Sequence, residues 1–296
     1  MKQPPNLQKG DLVAIVSTAR KITSAEIEPA LVLLKQWGLS YVLGSSIGAD
    51  DHQFAGHDAL RTRDFQEALD NPNVKAIWCA RGGYGTVRII DQLDFTKFRK
   101  HPKWIVGYSD VTVLHSHLHQ LGVVTLHAQM PQAIENKTPE TQETLRRSLF
   151  GESFAITYEN QNSSSRFGET QGILVGGNLS ILYSLCGSPS ALDTKGKILF
   201  LEDVDEYLYH IDRMMQNLKR NGMLHGLAGL VVGGMTQMND NAVPFGKSAE
   251  EIIFDAVEEF DYPVCFGFPA GHQRDNCALQ FGKVHTLVVS QINSLY

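Results

Sequence analysis

Between Asp11 and Gln120, short apolar runs of strand length alternate with segments of helical spacing, and this alternation limits the fold more than any other feature of the 296-residue chain. The first run, Asp11 to Ser17, precedes Ser24 to Gly38, where Ile27, Leu31, Leu34 and Trp37 recur at helical intervals and Gly38 supplies a stop. A second strand at Ser40 to Leu43 is followed by an amphipathic helix over Ala59 to Leu69 and a third strand over Val74 to Ala80. The glycine-rich turn Arg81-Gly82-Gly83-Tyr84-Gly85 then opens a helix through Ile89 and Leu93, before a fourth strand, Lys103 to Gly107. Strands alternating with helices pair in parallel through right-handed crossovers. Residues 1–155 are therefore predicted to form a doubly wound, flavodoxin-like α/β domain.

The pattern changes after residue 155. The stretch Glu159 to Arg166 is polar and offers little to bury, so residues 156–171 read as a linker. Residues 172–296 carry an apolar run at Leu179 to Leu185, strands at Lys197 to Leu201 and Leu227 to Val232, and helices at Tyr207 to Asn221 and Ser248 to Phe260. Short strands at Val264 to Phe268, Ala278 to Phe281 and Val284 to Val289 complete it. Their number and brevity predict a smaller mixed α/β domain with a partial barrel.

A net charge of −6 and a pI near 6.0 give no electrostatic reason to expect nucleic acid or an anionic membrane as partner. A small molecule or peptide is the expected ligand. No apolar stretch approaches the ~18 residues of a spanning helix, and the N-terminus has no signal-peptide pattern, so the expected location is the cytoplasm. Cys79, Cys186, Cys265 and Cys277 are scattered without a C-x-x-C pair, which argues against a zinc knuckle and against a disulfide framework.

Several positions could carry chemistry. In Gly107-Tyr108-Ser109-Asp110-Val111 a strand breaks into a small polar corner just before a helix. The edge of a parallel sheet at such a corner is where ligands bind, and the corner suits a nucleophilic serine, although the last glycine of G-x-S-x-G is missing. Ser109 or Asp110 could equally cap the helix. The turn Gly83-Tyr84-Gly85 resembles a dinucleotide fingerprint only in part, because Arg88 replaces its third glycine; it could instead bring backbone N–H groups to a substrate oxygen. His115 and His119 share a helix face at metal-ligand spacing, but Ser116 stands where H-E-x-x-H requires glutamate. Glu202 ends an apolar strand among further acids, which could also form the solvated first turn of the next helix. His272 follows a glycine-proline turn. Serine, acid and histidine, each after a strand, are the parts of a nucleophilic relay.

Taken together, Gly56-His57-Asp58-Ala59-Leu60-Arg61 with Asp64 and Ala68, Ala80 to Gly85, Gly107 to Asp110, Gly176 to Ser180, Leu201-Glu202-Asp203 with Arg213, and Gly271-His272 resemble the LD-carboxypeptidase family of serine peptidases, which includes the microcin-immunity hydrolases. The resemblance spans almost the whole chain. It implies Ser109 as nucleophile, Glu202 as acid, His272 as base and the backbone amides of Gly83 and Asp110 as oxyanion hole. It also implies a homodimer, no cofactor and no metal, and hydrolysis of the bond to a terminal D-alanine in a muropeptide. A free terminal carboxylate would need a cation, for which Arg81, Arg213 and Arg274 are candidates. Two loops depart from the family pattern: Ser17-Thr18-Ala19 lacks the small-residue-and-proline turn, and His127-Ala128-Gln129 replaces His-Gly-Pro. A peptidyl-nucleotide hydrolase and a non-catalytic two-domain binder are the alternatives.

Overall fold

A computed structural model describes residues 1–296. In β1 (Leu12–Val16), Val13 and Ile15 face one side of a sheet while Ala14 and Val16 face the other, the period-2 pattern of a strand buried on both faces. Helix α1 (Ser24–Gln36) begins in a capping box: the Thr23 hydroxyl accepts the Glu26 N–H at 3.3 Å, and the Glu26 carboxylate accepts the Thr23 N–H at 2.8 Å. The chain continues through β2 (Ser40–Leu43), α2 (Asp58–Asp70), β3 (Val74–Cys79), α3 (Thr96–Lys100), β4 (Trp104–Gly107), α4 (Thr112–Gln120), β5 (Thr125–His127) and α5 (Pro139–Phe150).

The helix expected through Ile89 and Leu93 is absent. Thr86–Arg88 and Ile90–Gln92 are isolated 3₁₀ turns. Thr86, Val87, Ile89 and Ile90 are β-branched and pack poorly in a helix, and the Thr86 N–H is drawn to the Asp110 carboxylate at 2.8 Å.

The second half contains β6 (Ile156–Glu159), β7 (Gly168–Asn178), α6 (Leu179–Ser184), β8 (Lys197–Val204), α7 (Leu208–Arg220), β9 (Gly229–Thr236), α8 (Ala249–Val257), β10 (Val264–Cys265), β11 (Leu279–Phe281), β12 (Val284–Val289) and β13 (Ile292–Leu295). The expected linker is thus strand at both ends. Residues 168–171 alternate between half-buried and exposed, which leaves them polar although hydrogen-bonded in a sheet.

Strands β2-β1-β3-β4-β5 lie side by side in parallel, the flavodoxin-like order. α1 and α5 cover one face through Leu31, Leu34, Leu145 and Leu149; α2, α3 and α4 cover the other through Phe65, Phe98, Leu114 and Leu118. A sixth strand comes from far along the chain: β11 pairs antiparallel with β5, with Leu279 opposite His127. The second sheet runs β10-β9-β8-β7-β12-β13-β6, parallel from β10 to β7 and antiparallel beyond. It has seven strands. Arg166, just before β7, forms a bridge back to Val264 of β10 and so ties the two ends of its parallel part. Helices α6, α7 and α8 pack on one face, and Phe200 and Phe268 of the other face meet Phe281 of β11.

Candidate active site

The parallel strands of both sheets end toward each other. The corner after β4 meets the end of β7 and the turn after β10, the loops after β1 and β3 lie against each other beside that corner, and α4 forms the seam. There Thr112 Oγ1 accepts the Asn178 N–H at 3.0 Å, and Ser116 Oγ donates to the Ser190 carbonyl at 2.5 Å.

Ser109 follows β4 with φ +61°, a left-handed conformation that costs a non-glycine residue roughly 1–3 kcal/mol. A Cβ added to Gly82 would sit 3.0 Å from Ser109 Oγ, so the hydroxyl lies directly against the glycine-rich loop. Ser109 Oγ makes no hydrogen bond within the protein. The Gly83 N–H, exposed in the same loop, also lacks an acceptor.

Two motifs without an assigned role hold this loop. Arg61, fully buried, donates from Nη1 to the Thr18 carbonyl at 2.5 Å and the Gly85 carbonyl at 3.0 Å, and from Nε to the Gly56 carbonyl at 3.2 Å. It pairs with Asp58, which Arg88 grips through Nη2 at 2.7 Å. Asp110 contributes its side chain as well as its amide. Burial pushes its carboxyl above the usual range, opposed by the hydrogen bond from Thr86 and the charge of Arg61. The signal for Arg61 was present in Gly56 to Arg61; nothing marked it as a clamp between two loops.

Strand β8 does not stop at Leu201. It continues to Val204 through a register shift between Leu201 and Asp203, which leaves both Glu202 and Asp203 buried but engaged on different sides. Asp203 accepts from Asn178 Nδ2 at 2.8 Å and from the Ser180 N–H at 2.8 Å; burial, then the adjacent Glu202 charge, raises it to about 7. Glu202 Oε2 lies 2.6 Å from His272 Nδ1 and also accepts the His272 N–H at 3.2 Å. Gly271 makes this approach possible: at φ +106°, a Cβ there would fall 2.8 Å from Glu202 Cβ.

The His272 imidazole packs on Tyr108 with ring centroids 4.8 Å apart, which brings it beside the residue preceding Ser109. Burial lowers its basicity, but the charge and hydrogen bond of Glu202 outweigh burial, and its pKa is raised. No hydrogen bond joins Ser109 to His272. Lys137, from the loop before α5, donates to the Gln273 carbonyl and fastens the His272 turn to the first domain.

The remaining candidates are scattered. Arg81 donates to the Lys21 carbonyl at 3.2 Å and lies 3.6 Å from Glu26. Arg213 is exposed on α7, over the Tyr209 ring at 5.2 Å, and Arg274 is exposed without a partner. The histidines of α4 diverge: His115 spends both ring nitrogens on Thr125 Oγ1 and the Gly107 carbonyl, each at 2.9 Å, and His117 bonds Ser190 Oγ. The cysteines share no site, and burial pushes the thiols of Cys79, Cys265 and Cys277 up to about 12.

Both halves of the chain match known proteins. The family model of the LD-carboxypeptidase N-terminal domain matches residues 13–128, and that of the C-terminal domain matches residues 171–287. A probable murein peptide carboxypeptidase of Bacillus subtilis is 36% identical over 289 residues, covering 95% of this chain and 89% of its own. A murein tetrapeptide carboxypeptidase of Pseudomonas aeruginosa is 29% identical over 287 residues, covering 93% and 92%. The crystal structure of muramoyltetrapeptide carboxypeptidase from Oxalobacter formigenes superposes with a TM-score of 0.86 at 28% identity, over 96% of this chain and 97% of that one. The microcin C7 self-immunity protein MccF shares the fold, with a TM-score of 0.87 at 22% identity over 99% and 97%.

Proposed function

The chain belongs to the LD-carboxypeptidase family of peptidases, and from that premise we propose that it is a serine carboxypeptidase removing a terminal D-amino acid, D-alanine, from muropeptide tetrapeptides. The observation that carries this reading is the buried Glu202–His272 pair at 2.6 Å, whose imidazole packs beside the corner bearing Ser109. With Nδ1–H donated to Glu202, Nε2 is left as the acceptor, the tautomer a general base requires.

His272 takes the Ser109 proton as Oγ attacks the amide carbonyl joining the L-configured centre to the D-residue. The oxyanion is held by the amides of Gly83 and Asp110, and loss of such a donor typically costs ~10²–10³ in rate. His272 then protonates the departing amine, and water hydrolyses the acyl-enzyme. Glu202 keeps the imidazole oriented and stabilises its charged form. The same reading puts the enzyme in the cytoplasm, in peptidoglycan recycling, as a homodimer.

The test is D-alanine release from a muropeptide ending in an L–D bond, followed by mass spectrometry for wild type, Ser109→Ala and His272→Ala. Turnover by wild type alone supports both reaction and relay. Turnover by all three overturns the relay, and no turnover by folded wild type overturns the substrate.

A further inference from the structure

The structure holds one cation in an arrangement that the sequence did not single out. Arg20 lies in the loop after β1, and its backbone is fixed from several sides. Its carbonyl accepts from Ser17 Oγ at 2.7 Å, its N–H donates to the Gly82 carbonyl at 3.3 Å, and it bridges to Phe54. The next residue, Lys21, is held through its carbonyl by Arg81 and through its N–H by the Gln53 carbonyl at 2.9 Å. The Arg20 guanidinium, by contrast, is exposed and makes no hydrogen bond or ion pair. Its stem crosses Gly83: a Cβ built on that glycine would fall 2.1 Å from Arg20 Cδ and 2.4 Å from Cγ. Gly83 takes φ +106°, so both its conformation and the arginine above it exclude a side chain.

This is a rigid base carrying a free fork. The guanidinium lies two bonds past Cδ, hence within about 5 Å of the Gly83 Cβ direction, in the loop that faces Ser109. In the reaction proposed above, the carboxylate of the leaving residue is three bonds from the attacked carbon, about 4 Å away. We propose that Arg20 is the residue that recognises the terminal carboxylate of the substrate, pairing with it across the Gly83 loop. A planar guanidinium suits a carboxylate, and a fixed backbone lowers the ordering cost of binding. Arg81 then acts on Arg20 rather than on substrate, by holding the Lys21 carbonyl. The inference rests on the carboxypeptidase reading and adds to it the residue that makes the enzyme specific for a free chain end.

The test compares a muropeptide tetrapeptide ending in D-alanine with the same peptide ending in D-alaninamide, measuring kcat/KM for wild type, Arg20→Met and Arg20→Lys. Wild type should favour the acid, and Arg20→Met should shrink the acid-to-amide ratio by about 10- to 100-fold, the range for a hydrogen bond to a charged group. Arg20→Lys should keep part of the preference. Arg20 is exposed, so its removal leaves no buried gap, and melting temperature checks the fold. An acid-to-amide ratio unchanged in Arg20→Met, whether both rates fall together or neither does, overturns the clamp while leaving the peptidase reading intact. No turnover of either peptide by folded wild type overturns the two together.

Discussion

Glu202 Oε2 accepts two hydrogen bonds from one residue, His272, through ring Nδ1 at 2.6 Å and the backbone N–H at 3.2 Å. The second bond fixes where the ring is attached while the first fixes how it is turned. Because Glu202 is fully buried, water does not screen the pair.

The pH profile should report this pair. His272 is raised above the ordinary histidine value of 6.5, so the neutral base required for attack forms only at higher pH. The acid limb of kcat/KM should therefore lie above 6.5, and Glu202→Gln, which removes the raising charge, should move it to lower pH while cutting the rate by about 10²–10⁴-fold. For stability the sign is reversed: the raised group contributes most below 6.5, and its contribution is lost as pH rises through the raised value. A limb that stays put in Glu202→Gln would contradict the pairing.

Ser109 sits at φ +61°, which glycine adopts freely and alanine only under strain. Both Ser109→Ala and Ser109→Gly should abolish turnover. Ser109→Gly should be the more stable of the two by about 1 kcal/mol, read from chemical denaturation. Equal stabilities would mean that the corner relaxes in solution.

Thr112 joins the two domains by accepting the buried Asn178 N–H at 3.0 Å. Thr112→Val keeps the shape and removes the acceptor. Denaturant midpoints should show a loss of about 1–3 kcal/mol, the cost of a buried donor left unpaired. Thr112→Ser, which keeps the oxygen, should recover most of it.

Arg61 is buried and bonds three carbonyls together with Asp58. Asp58 keeps Arg88 as its partner, but removing Arg61 leaves the Thr18 and Gly85 carbonyls without their donor and frees two loops, so Arg61→Met should cost at least about 1–3 kcal/mol. Arg61→Lys should rescue little, because an ammonium cannot span carbonyls on opposite sides of a planar fork. Thermal melts of both variants check this.

What could be read in the chain follows from what makes a pattern. Strands β1 and β4, and β3 from Ala76 on, are continuous apolar runs because helices cover both of their faces, and such runs are visible in the sequence. β6 and the start of β7 have the composition of a linker because one of their faces meets solvent and carries the polar residues of a loop. β5 is three residues long, and its outer pairing partner lies beyond residue 278. At the candidate site, Ser109, Glu202 and His272 each stand out in the sequence after a predicted strand, and the contact between Glu202 and His272 is a product of folding. Arg20 could not be found that way. An arginine after Ser17-Thr18-Ala19 has no pattern; its setting comes from Gly82, Gly83 and Arg81, some sixty residues on.

The position of β11 has a consequence for synthesis. Residues 279–281 form the outer strand of a sheet whose other five strands are complete by residue 127. On the ribosome the first sheet must wait, with the side of β5 unpaired, through the translation of about 150 further residues, roughly ten to thirty seconds at common elongation rates. During that interval the bare edge is open to pairing with a neighbouring nascent chain. Neither half can therefore be released from the other by a single cut between them: the second half carries away a strand of the first.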